Sequence, residues 1–465
     1  MKVALALHGY PPELLGGTES IVRALAHGLV REGHEVVVIA GTIRHEQGFR
    51  RSLELDEEGA RPIRVHKIHR DDLFFDHWQK SASARASLAF RDILREEKPD
   101  LVHVHHWIRL SRDLVHRAAL EGIPAVVTLH DLWTSCLVTF RVRPESGEFC
   151  ESRLGPSPCL ACAARVPPRT PWLPYEAQGI ALLERSADLA RELELARRVL
   201  APTRAHAEAV STYLGLARER LELAVVPHGR DLALRPRTSL APPEALGKLV
   251  LGVWGHLYRL KGADRVLRAV RALPDPSRVE VHFAGAEPEP AYAREVHELA
   301  QGLAVHFHGP YRAEELDRHP VTAVHAFASG TRAHESFGLV LDEAVALRLA
   351  CLLPRRGAYS ERLAEGQGAL FYPPGDSEAL ARLLTRLLDE PGLLARLVRA
   401  LPAPATFTAS TADNARAHLA LYEEALRAGA PEARDVPMRE RIWQGAEDAW
   451  GSAFGRCTAR ELGFE

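Results

Sequence analysis

The sequence has almost no excess of charge of either sign, and it has no long apolar run. Its 59 lysines and arginines are balanced by 61 aspartates and glutamates, which leaves a formal net charge of −2. Without a basic excess nothing favours a nucleic-acid partner, and without an acidic tail nothing favours a disordered end. No apolar stretch approaches the ~20 residues that a membrane-spanning helix needs. We therefore expect a globular protein with no transmembrane segment and no nucleic-acid partner.

A signal peptide and a disulfide framework are not indicated either. The apolar run within residues 2–9 is too short for a signal peptide and is not followed by a small-residue cleavage site. It is more typical of a first β-strand, so the cytoplasm is the expected location. Only six cysteines occur, and in a reducing compartment we expect none of them to form a disulfide.

Strand and helix signals alternate in both halves of the chain, which at 465 residues is long for a single core. This β-α-β rhythm predicts an α/β fold with two doubly wound domains, each built on a parallel sheet. We predict an N-terminal domain over 1–228 with a cysteine-rich insertion at about 136–175, a linker over 229–247, and a C-terminal domain over 248–410. The strand candidates are 2–9, 34–41, 100–106, 124–131, 248–256, 279–286, 303–309, 323–329 and 349–354.

A glycine-containing turn, "ELLGGTE" (13–19), joins the first strand candidate to a helix. Ligands of open parallel sheets bind beyond the carboxyl ends of the strands, which predicts a site in the cleft between two such domains. Gly16 and Gly17 would let the backbone approach a ligand closely, and the helix N-terminus favours an anion. The alternative is a flexible turn in which Thr18 caps the helix.

A second strand-to-helix junction, "WGHLYRLKGADRVLRA" (254–269), is basic. Lys261 and Gly262 at the helix entry would place an ammonium group and free amides where a phosphate could bind. His256 and Arg259 could add positive charge. The alternative is a solvated basic turn.

A third junction, "HESFGLVLDEA" (334–344), carries two glutamates eight residues apart. On one helix they would be roughly 80° apart, so we predict instead that the helix begins near Gly338, with Glu335 in the entry loop and Glu343 in the second turn. Carboxylates would repel a diphosphate and suit sugar or ribose hydroxyls, whereas the amides around Phe337, Gly338 and Leu339 could hold phosphates together with Lys261. The alternative is a surface helix with scattered acids.

Taken together, these motifs resemble the GT-B glycosyltransferases of family 4, a retaining family that uses nucleotide-sugar donors. The E-x7-E element is the most specific of them. The resemblance implies two Rossmann-like domains facing each other across a cleft, with the donor held mostly by the second, and 411–465 as helices that return to the first. The matching pieces, in the family's order over roughly residues 1–375, are "PPELLGGTE", "LAHGLVREGHEVVVIA", "PDLVHVHHW", "VVTLHD", "VVPHGRD", "GHLYRLKGADRVLRA" and "HESFGLVLDEA".

The resemblance also assigns roles to residues. It implies that Lys261 contacts the diphosphate, that Glu335 contacts the transferred sugar near the reacting centre, and that Glu343 accepts hydrogen bonds from the ribose. It places His130 beside the transferred sugar, as a second catalytic candidate. It further implies that Gly16 and Gly17 close over the diphosphate and the acceptor.

The expected reaction is transfer of a sugar from a UDP-, GDP- or ADP-sugar to a polysaccharide, a lipid or a small glycoside. No catalytic metal is expected, because Lys261 and a helix N-terminus would stabilise the leaving diphosphate. A peripheral contact with the inner face of the membrane stays open. Many members have Arg where this chain has His256, which puts donor affinity in doubt because neutral imidazole carries no charge. The alternatives are an inactive binding or scaffold protein, and a nucleotide-sugar epimerase or hydrolase on the same fold.

Four of the cysteines are clustered as C-x13-C-x8-C-x2-C, at Cys136, Cys150, Cys159 and Cys162. Clustered thiols with one C-x-x-C pair in a cytosolic protein fit a structural tetrahedral zinc site. An iron–sulfur cluster takes similar ligands and is the less favoured reading. The alternatives are four unlinked cysteines in a proline-rich insertion, or a redox pair.

Overall fold

The computed structural model describes residues 1–43, 48–59, 61–70, 81–163, 175–214, 221–236 and 241–434. The chain divides into two compact units. The first unit comprises residues 1–140, 151–230 and 410–465, and the second comprises 141–150 and 231–409. The predicted linker therefore straddles the boundary between them. A short part of the cysteine-rich insertion groups with the second unit, which the sequence did not indicate.

The first unit is built on an eight-stranded sheet in the order β3-β4-β2-β1-β5-β6-β7-β8. All its strand pairs are parallel except β3 with β4, which is antiparallel. The strands are β1 (Lys2–Leu7), β2 (Glu35–Gly41), β3 (Arg50–Asp56), β4 (Ile63–His69), β5 (Leu101–Val104), β6 (Ala125–Thr128), β7 (Arg198–Ala201) and β8 (Leu223–Val225). The helices are α1 (Gly17–Arg31), α2 (Ala84–Glu97), α3 (Leu114–Leu120), α4 (Pro156–Ala163), α5 (Tyr175–Leu195), α6 (Arg204–Leu214) and α15 (Thr411–Ala428).

The second unit is built on a six-stranded, wholly parallel sheet in the order β11-β10-β9-β12-β13-β14. Its strands are β9 (Leu249–Trp254), β10 (Val279–Ala284), β11 (Ala304–Phe307), β12 (Ala326–Ala328), β13 (Ala350–Pro354) and β14 (Ala369–Tyr372). Its helices are α7 (Pro243–Leu246), α8 (Ala263–Arg271), α9 (Pro290–Ala300), α10 (Leu339–Ala346), α11 (Ala358–Arg362), α12 (Ser377–Asp389), α13 (Leu393–Ala400) and α14 (Pro404–Phe407).

The two sheets confirm the expected α/β class, and the reason lies in the strands themselves. The central strand β1, "KVALAL", is apolar without alternation and is buried along nearly its whole length. Such continuous apolar runs are typical of strands covered on both faces by helices. Strand β3 was not predicted, because it mixes charged and apolar residues and several of its side chains are exposed.

The last described helix, α15, belongs to the core of the first unit. Ala415, Tyr422 and Ala425 are buried there together with residues of β1 and α1. Gly28 of α1 allows this close approach, because a Cβ at that position would lie 3.1 Å from the Ala415 Cβ. In the part of the chain that the structure describes, no helix has the length and apolar character needed to cross a membrane.

Candidate active site

In the second unit the basic turn after β9 touches the loop after β12. Gly262 has a φ of 69°, and a Cβ there would lie 1.9 Å from the carbonyl oxygen of Gly330. A Cβ on Gly330 would in turn lie 2.0 Å from the carbonyl oxygen of Gly262. Only glycine fits at either position. The contact brings Lys261 beside residues 331–335, which are far from it in sequence.

Lys261 and Glu335, two of the predicted site residues, form an ion pair at this contact. The Lys261 ammonium donates to Glu335 Oε1 at 2.8 Å, and the Thr331 hydroxyl donates to the same oxygen at 3.0 Å. The side chains are 37% and 11% exposed. Burial by itself lowers the pKa of Lys261, but the negative charge of Glu335 outweighs it, and the net pKa is raised. Lys261 is therefore a cation at neutral pH.

Glu343 lies in the second turn of α10, which begins at Leu339, directly after Gly338. Its Oε2 accepts a hydrogen bond from the indole N–H of Trp254 at 2.9 Å, and its side chain is buried. Gly338 has a φ of 78°, and a Cβ there would lie 2.6 Å from the ring of Tyr359. Trp254 was not picked out from the sequence, although it ends β9 immediately before the basic turn.

The loop before α10 is held in place by contacts with two residues of the segment around α11, Ala358 and Arg362. The amide of Ala358 donates to the carbonyl of Glu335 at 2.8 Å. The guanidinium of Arg362 lies 3.9 Å from the centre of the Phe337 ring and donates to the Phe337 carbonyl at 3.1 Å. These contacts set the backbone that carries the predicted phosphate-binding amides of Phe337, Gly338 and Leu339.

A buried ion pair that the sequence reading missed supports the basic turn. Arg332 donates two hydrogen bonds to the Asp264 carboxylate, at 2.8 and 2.7 Å, and a third to the carbonyl of Arg259 at 2.8 Å. The Tyr292 hydroxyl donates to Asp264 as well. Burial alone would raise the pKa of Asp264, but the hydrogen bonds from Arg332 outweigh it and the pKa is lowered. A bidentate pair of this kind fixes backbone geometry around it.

The other two basic candidates do not join Lys261. The guanidinium of Arg259 pairs with Glu295 of α9 and lies 4.9 Å from the centre of the Tyr292 ring. The ring of His256 stacks with Tyr258, with 6.1 Å between ring centres. Of the residues predicted from this turn, Lys261 pairs with Glu335, Gly262 lies against Gly330, and Arg259 is directed towards α9.

In the first unit, His130 lies in a cluster of imidazoles beyond β5 and β6. Its Nε2 is 2.9 Å from His105 Nδ1, and its ring stacks on His228 with 5.1 Å between centres. The neighbouring His103 bonds both to Tyr422 and to Thr128, at 2.7 and 2.8 Å. Burial lowers the pKa of His130 to about 3. His130 is therefore neutral at physiological pH and can act as a hydrogen-bonding group, not as a cation.

Two histidine–carboxylate pairs, also missed from the sequence, lie at the same end of this sheet. His8 Nε2 is 2.7 Å from Glu19 Oε1, and His106 Nε2 is 3.3 Å from Asp131 Oδ2. The rings of His8 and His106 are 4.6 Å apart. His8, His106 and Asp131 each follow a parallel strand by one to three positions, which is the signal that could have identified them.

The two predicted glycines open helix α1 beside the first of these pairs. Gly17 is the first residue of α1, and Gly16 precedes it as the N-cap. A Cβ on Gly16 would lie 2.5 Å from Glu19 Oε2. Burial raises the pKa of Glu19, but the hydrogen bond from His8 outweighs this and the pKa is lowered. A carboxylate thus lies buried in the first turn of the helix, where the resemblance expects the backbone to meet a ligand.

The four clustered cysteines are half-buried and free of disulfides. Cys159 and Cys162 lie on α4 and pack against Leu137, Ala163 and Leu182. Cys136 follows a 3-10 turn over Trp133–Ser135. Within the described ranges, three ligand atoms lie within 4.8 Å of one another only at Glu280, His282 and His306. The cysteines do not form such a group, and zinc at these residues stays a prediction.

Two family models match the chain in succession. "Glycosyltransferase Family 4" matches residues 15–234, and "Glycosyl transferases group 1" matches residues 238–401. Glycogen synthase of Mycobacterium tuberculosis is 25% identical over 419 residues, which are 86% of this chain and 89% of the relative. D-inositol 3-phosphate glycosyltransferase of Corynebacterium urealyticum is 32% identical over 202 residues, 40% of this chain and 47% of the relative.

Solved structures share the fold at low sequence identity. Sucrose-phosphate synthase of Thermosynechococcus elongatus superposes with a TM-score of 0.67 at 18% identity, covering 92% of this chain and 99% of that one. HepE of Anabaena, in complex with UDP-glucose, gives 0.60 at 17% identity, with 90% and 99% covered. The catalytic domain of starch synthase IV of Arabidopsis thaliana, bound to ADP and acarbose, gives 0.60 at 14% identity, with 91% and 99% covered.

Each half of the chain thus matches a glycosyltransferase family model and is built on a parallel sheet. The family models account for the two parallel-sheet units, one each, and the relatives named above are synthases and glycosyltransferases. The chain therefore belongs to the family 4, or group 1, glycosyltransferases, and it is a sugar transferase with the GT-B fold.

Proposed function

We propose that the enzyme transfers a sugar from a nucleoside diphosphate sugar to a hydroxyl group of an acceptor, with retention of the anomeric configuration. The observation that carries the proposal is the arrangement of Lys261, Thr331 and Glu335 at the glycine contact of the second unit. A cation lies there beside a carboxylate at the entrance to α10. This is the combination that a diphosphate attached to a sugar requires.

Lys261 would neutralise the diphosphate. An ammonium group has three donors, so Lys261 can keep its hydrogen bond to Glu335 and donate another to a phosphate oxygen. Backbone amides at the start of α10 would add the positive end of the helix dipole. Charge that develops on the leaving diphosphate would then be stabilised by groups that are already in place.

Glu335 would orient the transferred sugar. Its two described hydrogen bonds both fall on Oε1, which leaves Oε2 for a sugar hydroxyl. The hydroxyls of the sugar would then hold the anomeric carbon beside the departing phosphate, and the positive charge that builds up there would be stabilised by the carboxylate.

Glu343 would recognise the ribose. A carboxylate offers about four lone-pair positions, and the Trp254 indole occupies one of them. That hydrogen bond holds the Glu343 side chain in one orientation. A carboxylate held in this way suits the two adjacent hydroxyls of a ribose, which donate in parallel.

In the first unit, His130 would contribute a neutral hydrogen bond to a sugar hydroxyl. His105 orients its ring through Nε2. Gly16 and Gly17 would bring the start of α1 close to the diphosphate and the acceptor. The acceptor itself is proposed as a sugar, a polysaccharide or a lipid-linked glycan.

The donor is proposed to be a UDP-, ADP- or GDP-sugar. The structure of HepE contains UDP-glucose, and that of starch synthase IV contains ADP, so uridine and adenine are the first bases to test. The experiment is thermal melting of the protein with UDP, ADP, GDP, TDP and CDP, alongside Glu343→Ala. A ligand at 100 times its Kd should stabilise the fold by about 2.7 kcal/mol.

Stabilisation of the wild type by one nucleotide, with no shift in Glu343→Ala, supports the proposal. No shift with any nucleotide would favour an inactive scaffold. Product analysis with and without acceptor separates transfer from epimerisation and hydrolysis, because the latter two reactions need no sugar acceptor. The anomeric configuration of the product, read by NMR, tests retention, and unchanged rates in EDTA test the expectation that no catalytic metal is needed.

We also propose that the four clustered cysteines bind a structural zinc ion, and a buried arginine supports this. Arg185 is fully buried, and its Nε and Nη1 have no hydrogen-bond partner among the described residues. Burial and the charge of Arg112 lower the pKa of Arg185 to about 9, while Cys136 and Cys159 act in the opposite direction. A zinc-bound set of thiolates would supply the negative charge that this guanidinium lacks. Metal analysis of wild type and Cys159→Ser/Cys162→Ser tests it, since the variant should contain one equivalent of zinc less than wild type.

A further inference from the structure

Two histidines and a glutamate meet on the edge of the sheet in the second unit. His282 of β10 and His306 of the edge strand β11 are directly opposite each other in the parallel register. Glu280 precedes His282 by two residues and therefore points to the same face of the sheet. No role in sugar transfer falls on these residues, because they are not part of the motifs that the family shares.

The three side chains already converge on one point. His282 Nε2 and His306 Nε2 lie 2.8 and 3.4 Å from the same oxygen, Oε1 of Glu280. One ligand atom from each of the three lies within 4.8 Å of the other two. Two imidazoles and a carboxylate are a ligand set that Zn²⁺ and similar divalent transition metals accept.

A fourth residue holds one of the ligands in place. His308 Nε2 is 2.9 Å from His282 Nδ1, and the two rings stack at 5.1 Å. Metal-bound histidines usually donate their other ring N–H to a neighbouring acceptor, which fixes the tautomer and the ring orientation. His308 Nε2 faces His282 Nδ1 and is therefore placed to accept the hydrogen of that nitrogen.

The charge at the site also suits a cation. Glu280 already forms an ion pair with a cation, Lys248. Lys248 bonds to the other oxygen, Oε2. Its side chain is 46% exposed and can turn into solvent when a metal ion takes over the neutralising role.

We propose that Glu280, His282 and His306 bind a divalent transition-metal ion of the zinc type, with His308 as the positioning residue for His282. The ion would join β10 to β11, the strand at the edge of the sheet. His282 would bind the ion through Nε2 and keep its single hydrogen on Nδ1, which faces His308. The consequence is a second unit whose stability rises with zinc, independently of the proposed sugar transfer.

The test is isothermal titration of the purified, metal-stripped protein with Zn²⁺, with Mg²⁺ as the control ion. We expect His306→Ala to weaken zinc binding at this site at least tenfold. His306 is 52% exposed, so the variant should fold, which its melting temperature without metal will verify. The matched control is His297→Ala, because His297 faces a carboxylate, Glu287, at 3.0 Å and belongs to no group of three potential ligands within the described residues.

Cobalt distinguishes this site from the cysteines. Co²⁺ bound by thiolates gives an intense charge-transfer absorption, whereas two imidazoles and a carboxylate give none. We expect one equivalent of Co²⁺ to bind without producing that band. This equivalent should still bind to Cys159→Ser/Cys162→Ser and should be lost from His306→Ala. Lys248→Met should bind more tightly than wild type, because a competing charge is removed. Equal zinc affinity in wild type and His306→Ala would overturn the proposal.

Discussion

In the first unit the central candidate, His130, is buried among other imidazoles and is uncharged, whereas in the second unit Lys261 and Glu335 are both charged and paired. The histidine sits beyond strands whose ends are crowded with neutral rings. The ion pair sits at a glycine contact that leaves the lysine partly exposed. The difference teaches that the two units offer different chemistry, and in the proposed function the neutral hydrogen bonds meet sugar hydroxyls whereas the charges meet the diphosphate.

The comparison is tested most severely by Glu335→Gln. The change keeps the shape of the side chain and removes the charge, so stabilisation of positive charge at the sugar is lost while the donor still binds. We expect kcat to fall by about 100-fold, the range seen when one preorganised electrostatic group is removed, with little change in the donor KM. Initial rates measure both. Glu314→Gln, at an exposed position of the same unit, should leave them unaltered, and an unchanged kcat in Glu335→Gln would contradict the assignment.

Lys261→Met should have the next largest effect, and on binding. Loss of a charge-assisted hydrogen bond of about 1.5–3 kcal/mol predicts roughly 10- to 100-fold weaker binding of the nucleoside diphosphate. Binding of the matching nucleoside, which has no phosphate, should not change. Titration calorimetry with both ligands checks this, and Arg312→Ala, an exposed cation, is the control. An equal loss for nucleoside and diphosphate would mean that Lys261 supports the fold and not the phosphate.

A lower pH should reduce the stability of the first unit, because His130 is buried there as a neutral ring. The pKa of His130 is lowered to about 3, so between this value and about 6.5 the unfolded chain binds a proton that the folded chain does not. The free energy of unfolding must therefore fall as the pH drops below about 6.5, by at most about 1.4 kcal/mol per pH unit for each such histidine. Denaturant midpoints from pH 7 to pH 5 should fall more steeply for wild type than for His130→Gln. His297→Gln should match wild type, and parallel slopes in all three proteins would contradict the prediction.

The smallest effect is expected for His256 and Arg259, the two other basic residues of the turn that carries Lys261. His256→Arg adds a cation near the basic turn and should improve donor affinity a few-fold, because partly exposed charge pairs contribute less than about 1 kcal/mol. Arg259→Ala should leave donor affinity unaltered, since its guanidinium pairs with Glu295. Donor titrations at low and high salt measure both variants. A large loss in Arg259→Ala would show that this arginine leaves Glu295 to bind phosphate.

Both sheets could be predicted from the sequence because their strands are short apolar runs between glycines and helices. Strand β5 ends at Val104, two residues before the predicted end, so His105 and His106 lie beyond it. The pairing of β3 with β4 was missed because half-exposed, charged residues do not distinguish an edge strand from a loop. Local patterns identified most of the buried strands, but the buried strands β4 and β14 were not among the candidates.

Each candidate site residue was predicted from the strand-to-helix turn in which it lies. The contacts between residues of different turns could not be predicted in this way. Lys261 and Glu335 are 74 residues apart, and only the glycine contact brings them together. The Arg332–Asp264 pair, the Trp254–Glu343 hydrogen bond and the His8–Glu19 pair depend on which strands are neighbours in the sheet. Sequence periodicity does not specify the order of the strands in the sheet, because the same strands can be connected into a parallel sheet in several orders.

Helix α15 has a consequence for how the protein is made. The first unit needs Tyr422 and Ala425 in its core, and the Tyr422 hydroxyl bonds to His103. These residues leave the ribosome only after the whole of the second unit has been synthesised, since that unit ends at residue 409. Domains generally fold in the order of synthesis, yet here the second unit can complete its core before the first. Part of the apolar face of the N-terminal sheet therefore stays uncovered until α15 has been synthesised.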